Sequence, residues 1–258
     1  MIDKNNTIYL AVNGNNRFQI WFDRNFALSK NFSGLTTPQG LFIKENGDIF
    51  VDNGANGQVD KWTINAASGV SAMTVSSKCF SIFVDMNDTL YCMQQSPRSV
   101  YKRSLNSSSL TPTTVTGATS FSNAHGIFVD LCFNLYIADF ANNQIKCVAA
   151  GASTATVAVG STAAAPRNFA LNNPIAVMLD GNNYFFILEY NNNRLLAESS
   201  TGFRCVVGCS GAGGGAANQL TNAYSFAFDT DGNIFVSDQG NCRFQKFLID
   251  QNNCRKYI

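Results

Sequence analysis

Seven residues carry the chemistry that this sequence offers. His125 is the chain's single histidine. Asp139, Glu189 and Asp238 recur at one repeat offset, where Asn53 and Gln94 stand earlier in the chain. Carboxylates gathered at one opening could hold Ca²⁺, which takes six to eight oxygens. The competing expectation is local, since Glu189 and Asp238 each have an arginine five residues on, Arg194 and Arg243. Such a pair ties its own turn together, for at most about 1 kcal/mol if exposed. A second offset holds Gln39, Phe80, His125, Ile175 and Tyr224. Aromatic, amide and imidazole groups suit a peptide or small-ligand surface, where rigid rings anchor binding. They serve equally as a plug of side chains. A lone histidine is more often structural than a base or a ligand.

Other features are weaker. The eight cysteines include Cys205 and Cys209, four residues apart. In a straight strand they would lie roughly 13 Å apart, beyond the ~7 Å that a disulfide spans. A turn at Gly208 would have to bring them together. Buried free thiols are the expected state of the cysteines, and zinc has no second close pair to complete its four ligands. The glycine-rich stretch 208–220 lacks the Lys-Ser/Thr ending of a phosphate loop and precedes a strand. Asn5, Asn31, Asn87 and Asn106 begin Asn-x-Ser/Thr sequons, four where chance gives roughly five. Stretch 106–114 reads as a polar loop running into a strand.

The elements that would position these residues repeat. Taking Asp229 as an origin, equivalent points fall at Asp3, Lys44, Asp85, Asp130 and Asp180, spaced by 41 to 50 residues. Six residues after each origin stand Tyr9, Phe50, Tyr91, Tyr136, Phe186 and Phe235, all aromatic in a chain with 12% aromatics. Chance agreement in such a column is about three in a million, so the chain is a six-fold repeat. One residue earlier come Ile8, Ile49, Leu90, Leu135, Phe185 and Ile234; fifteen after the origin come Phe18, Val59, Val100, Ile145, Leu195 and Phe244. The repeat hairpins run near 3–21, 44–62, 85–103, 130–148, 180–198 and 229–247. Each unit reads as four short strands with Asn/Gly turns, as in "GLFIK", "DIFVD", "QVDKW" and "SAMTVS". No 3.6-residue period competes.

Four strands per unit at this spacing predict an all-β fold, a six-bladed β-propeller of four-stranded antiparallel blades, as one domain over 1–258. The aromatic columns are then core between blades. The first unit keeps only "MID" of its first strand, and "CRKYI" (254–258) reads as the fourth strand of the last. The expectation is a segment of a longer protein, or a ring closed by the C-terminal strand.

"GNIFVSDQGNCRFQKF" and "FNLYIADFANNQIKCV" resemble NHL repeats, whose pattern is Gly-Asn-φ-φ-Val-x-Asp followed by Asn-x-Arg-φ-Gln-φ-φ. The resemblance spans nearly the whole chain. It places the family's acid at Asp139 and Asp238, with Glu189 between them, and its arginine at Arg17, Arg194 and Arg243. Val12, Asn53 and Gln94 replace the acid in the first three units, and Gln58, Ser99 and Gln144 replace the arginine elsewhere. It implies a six-bladed propeller that binds through the loops at one end.

The expected function is therefore a non-catalytic scaffold that binds a protein or peptide. Its loop-face residues are Gln39, Phe80, His125, Tyr224, Asp139, Glu189 and Asp238, with no catalytic residue or metal site assigned and Ca²⁺ as the one possible cofactor. Three alternatives accompany it. NHL propellers serve as recognition modules of tripartite-motif ubiquitin ligases, although no RING or zinc box stands here. Related propellers include metal-dependent lactonases, and some NHL domains bind RNA. A peptide-amidating lyase site would need several histidines. Net charge +1 with 14% charged residues gives no bulk attraction to nucleic acid or an anionic membrane. No apolar run is long enough to insert in a bilayer, and no signal peptide is visible in this chain. Eight cysteines, few charges and abundant Asn, Ser and Thr lean towards an extracellular setting.

Overall fold

The computed structural model describes residues 1–22, 27–54, 57–119 and 121–248. These residues form six antiparallel sheets in which strand order follows chain order. The first contains β1 (Thr7–Val12), β2 (Arg17–Phe22) and β3 (Ala27–Phe32); the second, β4 (Leu41–Ile43), β5 (Ile49–Asp52), β6 (Gln58–Trp62) and β7 (Val70–Thr74). The third contains β8 (Ser81–Val84), β9 (Thr89–Gln95), β10 (Arg98–Ser104) and the short β11 (Thr113–Thr114). The fourth contains β12 (Ile127–Val129), β13 (Leu135–Asp139), β14 (Gln144–Val148) and β15 (Thr156–Val159). The fifth contains β16 (Pro174–Leu179), β17 (Phe185–Glu189), β18 (Arg194–Ser199) and β19 (Gly202–Val207). The sixth contains β20 (Ala223–Phe228), β21 (Ile234–Asp238) and β22 (Arg243–Phe247). These are the six blades of an all-β propeller. The stub "MID" pairs with β1 through one bridge, Ile2 to Ile8, so the first blade has three strands. The expected fourth strand "CRKYI" lies outside the described residues.

Each blade opens with the same turn, and the repeat origin builds it. In five blades the origin is an aspartate whose Oδ1 accepts the backbone N–H groups two and four residues on. Asp3 takes those of Asn5 and Thr7, both at 2.9 Å. Asp85, Asp130, Asp180 and Asp229 repeat the pattern. The residue three after each origin then sits at positive φ: Asn6, Gly47, Asp88, Phe133, Asn183 and Gly232. Gly, Asn and Asp tolerate that conformation; Phe133, at φ 63, does so against its side chain's preference. The second oxygen of Asp3 and Asp85 accepts the hydroxyl of the column tyrosine, Tyr9 or Tyr91, at 3.0 Å.

By backbone contacts the chain forms two compact units. One is Met1–Phe121 with Val129–Leu135 and Val148–Ala155; the other is Ser122–Phe128, Tyr136–Cys147 and the chain from Thr156 on. In the first unit, Phe18, Ile20, Ile49 and Val51 pack with Trp62, and Phe50, Val59 and Met73 pack with Leu90. In the second, Ile145 packs with Phe185, and Leu188 and Leu195 pack with Val236. Phe50 and Phe235 of the aromatic column are fully buried; Tyr136 and Phe186 are half-buried. Truncating such a ring removes its transfer energy and leaves a cavity. Phe50→Ala is therefore expected to cost about 3–5 kcal/mol of unfolding free energy in urea denaturation. A loss below about 1 kcal/mol would remove the column from the core.

Candidate functional site

At the opposite end from the origin turn, the second turn of every blade but the first, where Val12 stands, carries a polar side chain that reaches back into the loop before the first strand. Asn53 Oδ1 accepts the Thr36 N–H at 2.9 Å, and Asp139 Oδ1 the Ser122 N–H at 2.7 Å. Glu189 Oε1 accepts the Asn172 N–H and Asp238 Oδ1 the Thr221 N–H, each at 2.6 Å. The separation is 17 residues in every case. Gln94 ties the corresponding loop differently, donating to the Ser77 carbonyl and accepting the Ser76 hydroxyl.

The other carboxylate oxygens are taken up inside their own turns. Asp139 Oδ2 accepts from Asn142 and Gln144, with Lys146 Nζ 3.3 Å away. Glu189 Oε2 pairs with Arg194 Nε at 2.5 Å, and Asp238 Oδ2 with Arg243 Nε at 2.7 Å. All three acids are 0% exposed. Burial pushes the Asp238 carboxyl up, but Asn241, the Thr221 amide and Arg243 outweigh it and hold it below the usual carboxylate range. These oxygens are committed to the fold and do not make a Ca²⁺ set. Among the described residues no three His, Cys, Asp or Glu side chains converge as metal ligands.

The residues at the other offset divide. In the first unit, Gln39 has a buried Oε1 with no hydrogen-bond partner among the described residues. The half-buried Phe80 ring has Lys78 Nζ 5.1 Å from its centre, and its N–H bonds the Met93 carbonyl. In the second unit, His125 and Tyr224 meet: Nδ1 lies 3.0 Å from the phenol oxygen, with the rings edge to face at 5.6 Å. Two residues not anticipated from sequence complete the group. The Phe140 ring lies tilted 5.1 Å from the imidazole and Tyr190 lies 5.7 Å from Phe140. They follow directly on Asp139 and Glu189, so the same anchored turns present them. The signal was available: two aromatics in one column of successive repeats, where Asn13, Gly54, Gln95 and Gln239 stand elsewhere. All four rings are half-buried. Burial pulls the His125 pKa down to about 4, so the imidazole is neutral at pH 7. Burial and the neighbouring Tyr190 push Tyr224 up to about 12. The cluster is thus an uncharged aromatic surface with hydroxyl groups, suited to stacking and hydrogen bonding.

The sequence also gave no warning of Asp52, fully buried at an offset where Ala11, Met93, Ala138 and Leu188 stand. Its Oδ1 accepts the Cys79 N–H at 2.8 Å. Burial raises its pKa to about 7 against the pull of backbone N–H groups and Lys78. Cys79 itself forms a disulfide with Cys92, and Cys205 with Cys209. Free buried thiols are therefore the wrong state for these four. Cys132 and Cys242 are exposed and Cys147 is half-buried. Gly208, at φ +70, supplies the turn that the Cys205–Cys209 bridge requires.

Comparison with known proteins bears on the fold. No family model matches the chain, and no curated protein matches it. Solved structures do. A streptogramin B lyase superposes with TM-score 0.64 and 14% identity, over 95% of this chain and 76% of that one. An auxiliary nutrient binding protein from Bacteroides thetaiotaomicron gives TM-score 0.74 and 15% identity, over 95% and 67%. The hydrazine synthase of Kuenenia stuttgartiensis gives 0.65 and 11%, over 94% and 74%. Identities this low establish a shared propeller scaffold only, and that scaffold hosts unrelated functions.

Asp52 generates a pH prediction. Between about pH 4 and 7 the unfolded chain has lost this proton while the folded chain retains it. The native state then binds more protons, so stability falls as pH rises through that window and levels off above it. Asp52→Asn is expected to remove a slope of up to about 1.4 kcal/mol per pH unit, read by urea denaturation at pH 4.5 to 7.5. Parallel curves for the two proteins would contradict the raised pKa.

Proposed function

We propose that this chain is a non-catalytic binding propeller, akin to NHL-repeat modules, that takes a protein or peptide ligand on the loop end of its blades. The observation that carries this reading is the cluster of His125, Phe140, Tyr190 and Tyr224 on anchored turns. Rings of this kind supply large contact area with little rotamer entropy to lose, and binding energy concentrates on them. The acids at Asp139, Glu189 and Asp238 act in this account by fixing the turns that present the rings. Gln39 and Phe80 occupy the equivalent loop positions of the first unit and are candidate contacts of that unit.

The non-catalytic part of the proposal rests on His125. With a pKa near 4 it is a weak base at neutral pH, and its Nδ1 is engaged by Tyr224. Among the described residues, the lactonase-like, ubiquitin-ligase and RNA-binding alternatives have no comparable group behind them.

A displayed random-peptide library panned on the full chain tests the proposal. Selected peptides are expected to lose about 30-fold or more in affinity on Tyr190→Ala or Tyr224→Ala, while melting temperature changes little. Peptides that bind both variants as tightly as the parent, or a library that yields no binders, would overturn the assignment.

A further inference from the structure

We propose that the first unit is N-glycosylated, with Asn106 as the principal acceptor and Asn5 and Asn87 as further acceptors at the same end of the blades. The number of sequons carries no weight, since it matches chance. Their placement does. All four sequon asparagines are exposed, and of their side chains only that of Asn31 is bonded into the fold, whereas asparagines outside sequons carry structural bonds. Asn53 is buried in the anchor described above, Asn134 bonds Asp130, and Asn143 and Asn193 accept the backbone N–H groups of Asn173 and Asn222.

Asn5 and Asn87 occupy one structural position. Each lies two residues after an origin aspartate, whose Oδ1 holds its backbone N–H and leaves the side chain exposed. Asn106 stands in the turn between β10 and β11, where residues 106–111 are all exposed. Among the described residues none of these three side chains makes a hydrogen bond. The turn around Asn106 is nonetheless held in place: the buried Arg103 guanidinium donates to the carbonyls of Ala72, Ser107 and Ser109. The acceptor is thereby presented outward, with its Ser108 exposed beside it. In an antiparallel blade the first and third turns share one end, so all three glycans would cover the end away from Gln39 and Phe80. Asn31 differs. It lies within β3, and its Oδ1 accepts from Gln19 at 2.8 Å.

An independent feature agrees. The Cys79–Cys92 and Cys205–Cys209 bridges belong to chains that mature in an oxidising compartment, the setting in which Asn-x-Ser/Thr acceptors are modified. The donor is a lipid-diphosphate-linked oligosaccharide. The asparagine Nδ2 forms a bond to the anomeric carbon of the sugar as that carbon's bond to the diphosphate oxygen breaks. The lipid diphosphate leaves with the electron pair and the amide gives up one proton.

The test is peptide mass spectrometry on the chain isolated from its native cells, digested and treated with peptide:N-glycosidase in heavy-oxygen water. Glycan-bearing asparagines become heavy-oxygen aspartates, and an untreated control reports spontaneous deamidation. The expected result is label at Asn106 in most molecules, lost in Ser108→Ala, with melting temperature unchanged in Asn106→Gln. An Asn106 peptide recovered as unmodified asparagine would overturn the proposal.

Discussion

The link that the loop end depends on is a hydrogen bond, made in four of the six blades, from the backbone N–H of the entering loop to a buried side-chain oxygen on the second turn. A loop that leaves one sheet and starts the next has no ladder partner of its own. Its amide, desolvated and unpaired, would cost about 1–3 kcal/mol. Asn53, Asp139, Glu189 and Asp238 each remove that cost; in the third blade Gln94 instead ties the loop by donating to the Ser77 carbonyl and accepting the Ser76 hydroxyl. The three carboxylates form charge-assisted bonds, roughly twice as strong as neutral ones. Their remaining oxygens are neutralised by Lys146, Arg194 and Arg243, so that burial of the acids is tolerated.

This constraint explains why the rings come together. Asp139 and Glu189 fix the turns that display Phe140 and Tyr190, and the anchored entering loops of the fourth and sixth blades bring in His125 and Tyr224. Burial holds the His125 imidazole neutral at pH 7 and keeps the Tyr224 phenol protonated. Selectivity on such a surface comes from ring shape and hydrogen bonding, with little long-range steering.

Much of the architecture was legible from columns. Aromatics at Tyr9, Phe50, Tyr91 and Phe235 recur because the second strand of each blade must fill the same space, and the origin aspartates recur because the same turn needs the same two N–H groups satisfied. The candidate site was legible in part. His125 and Tyr224 stood in one column and do meet, across 99 residues of chain. Gln39 and Phe80 stood in the same column and lie in the other unit. The acids read ambiguously, since a carboxylate facing a ligand and one facing a backbone amide leave the same mark in sequence; only the 17-residue link distinguishes them. Asp52 and the Cys79–Cys92 bridge left no periodic signal, because each occurs once, and a repeat exposes only what several units share.

The most direct test of this account follows amide exchange in Asp139→Ala against the parent chain. The account predicts that the Ser122 amide loses protection by about 10- to 100-fold, the equivalent of one charge-assisted bond, while the Asn172 and Thr221 amides keep theirs. Unchanged protection at Ser122 would show that the loop is held by something other than the buried acid, and the account would be wrong at its foundation.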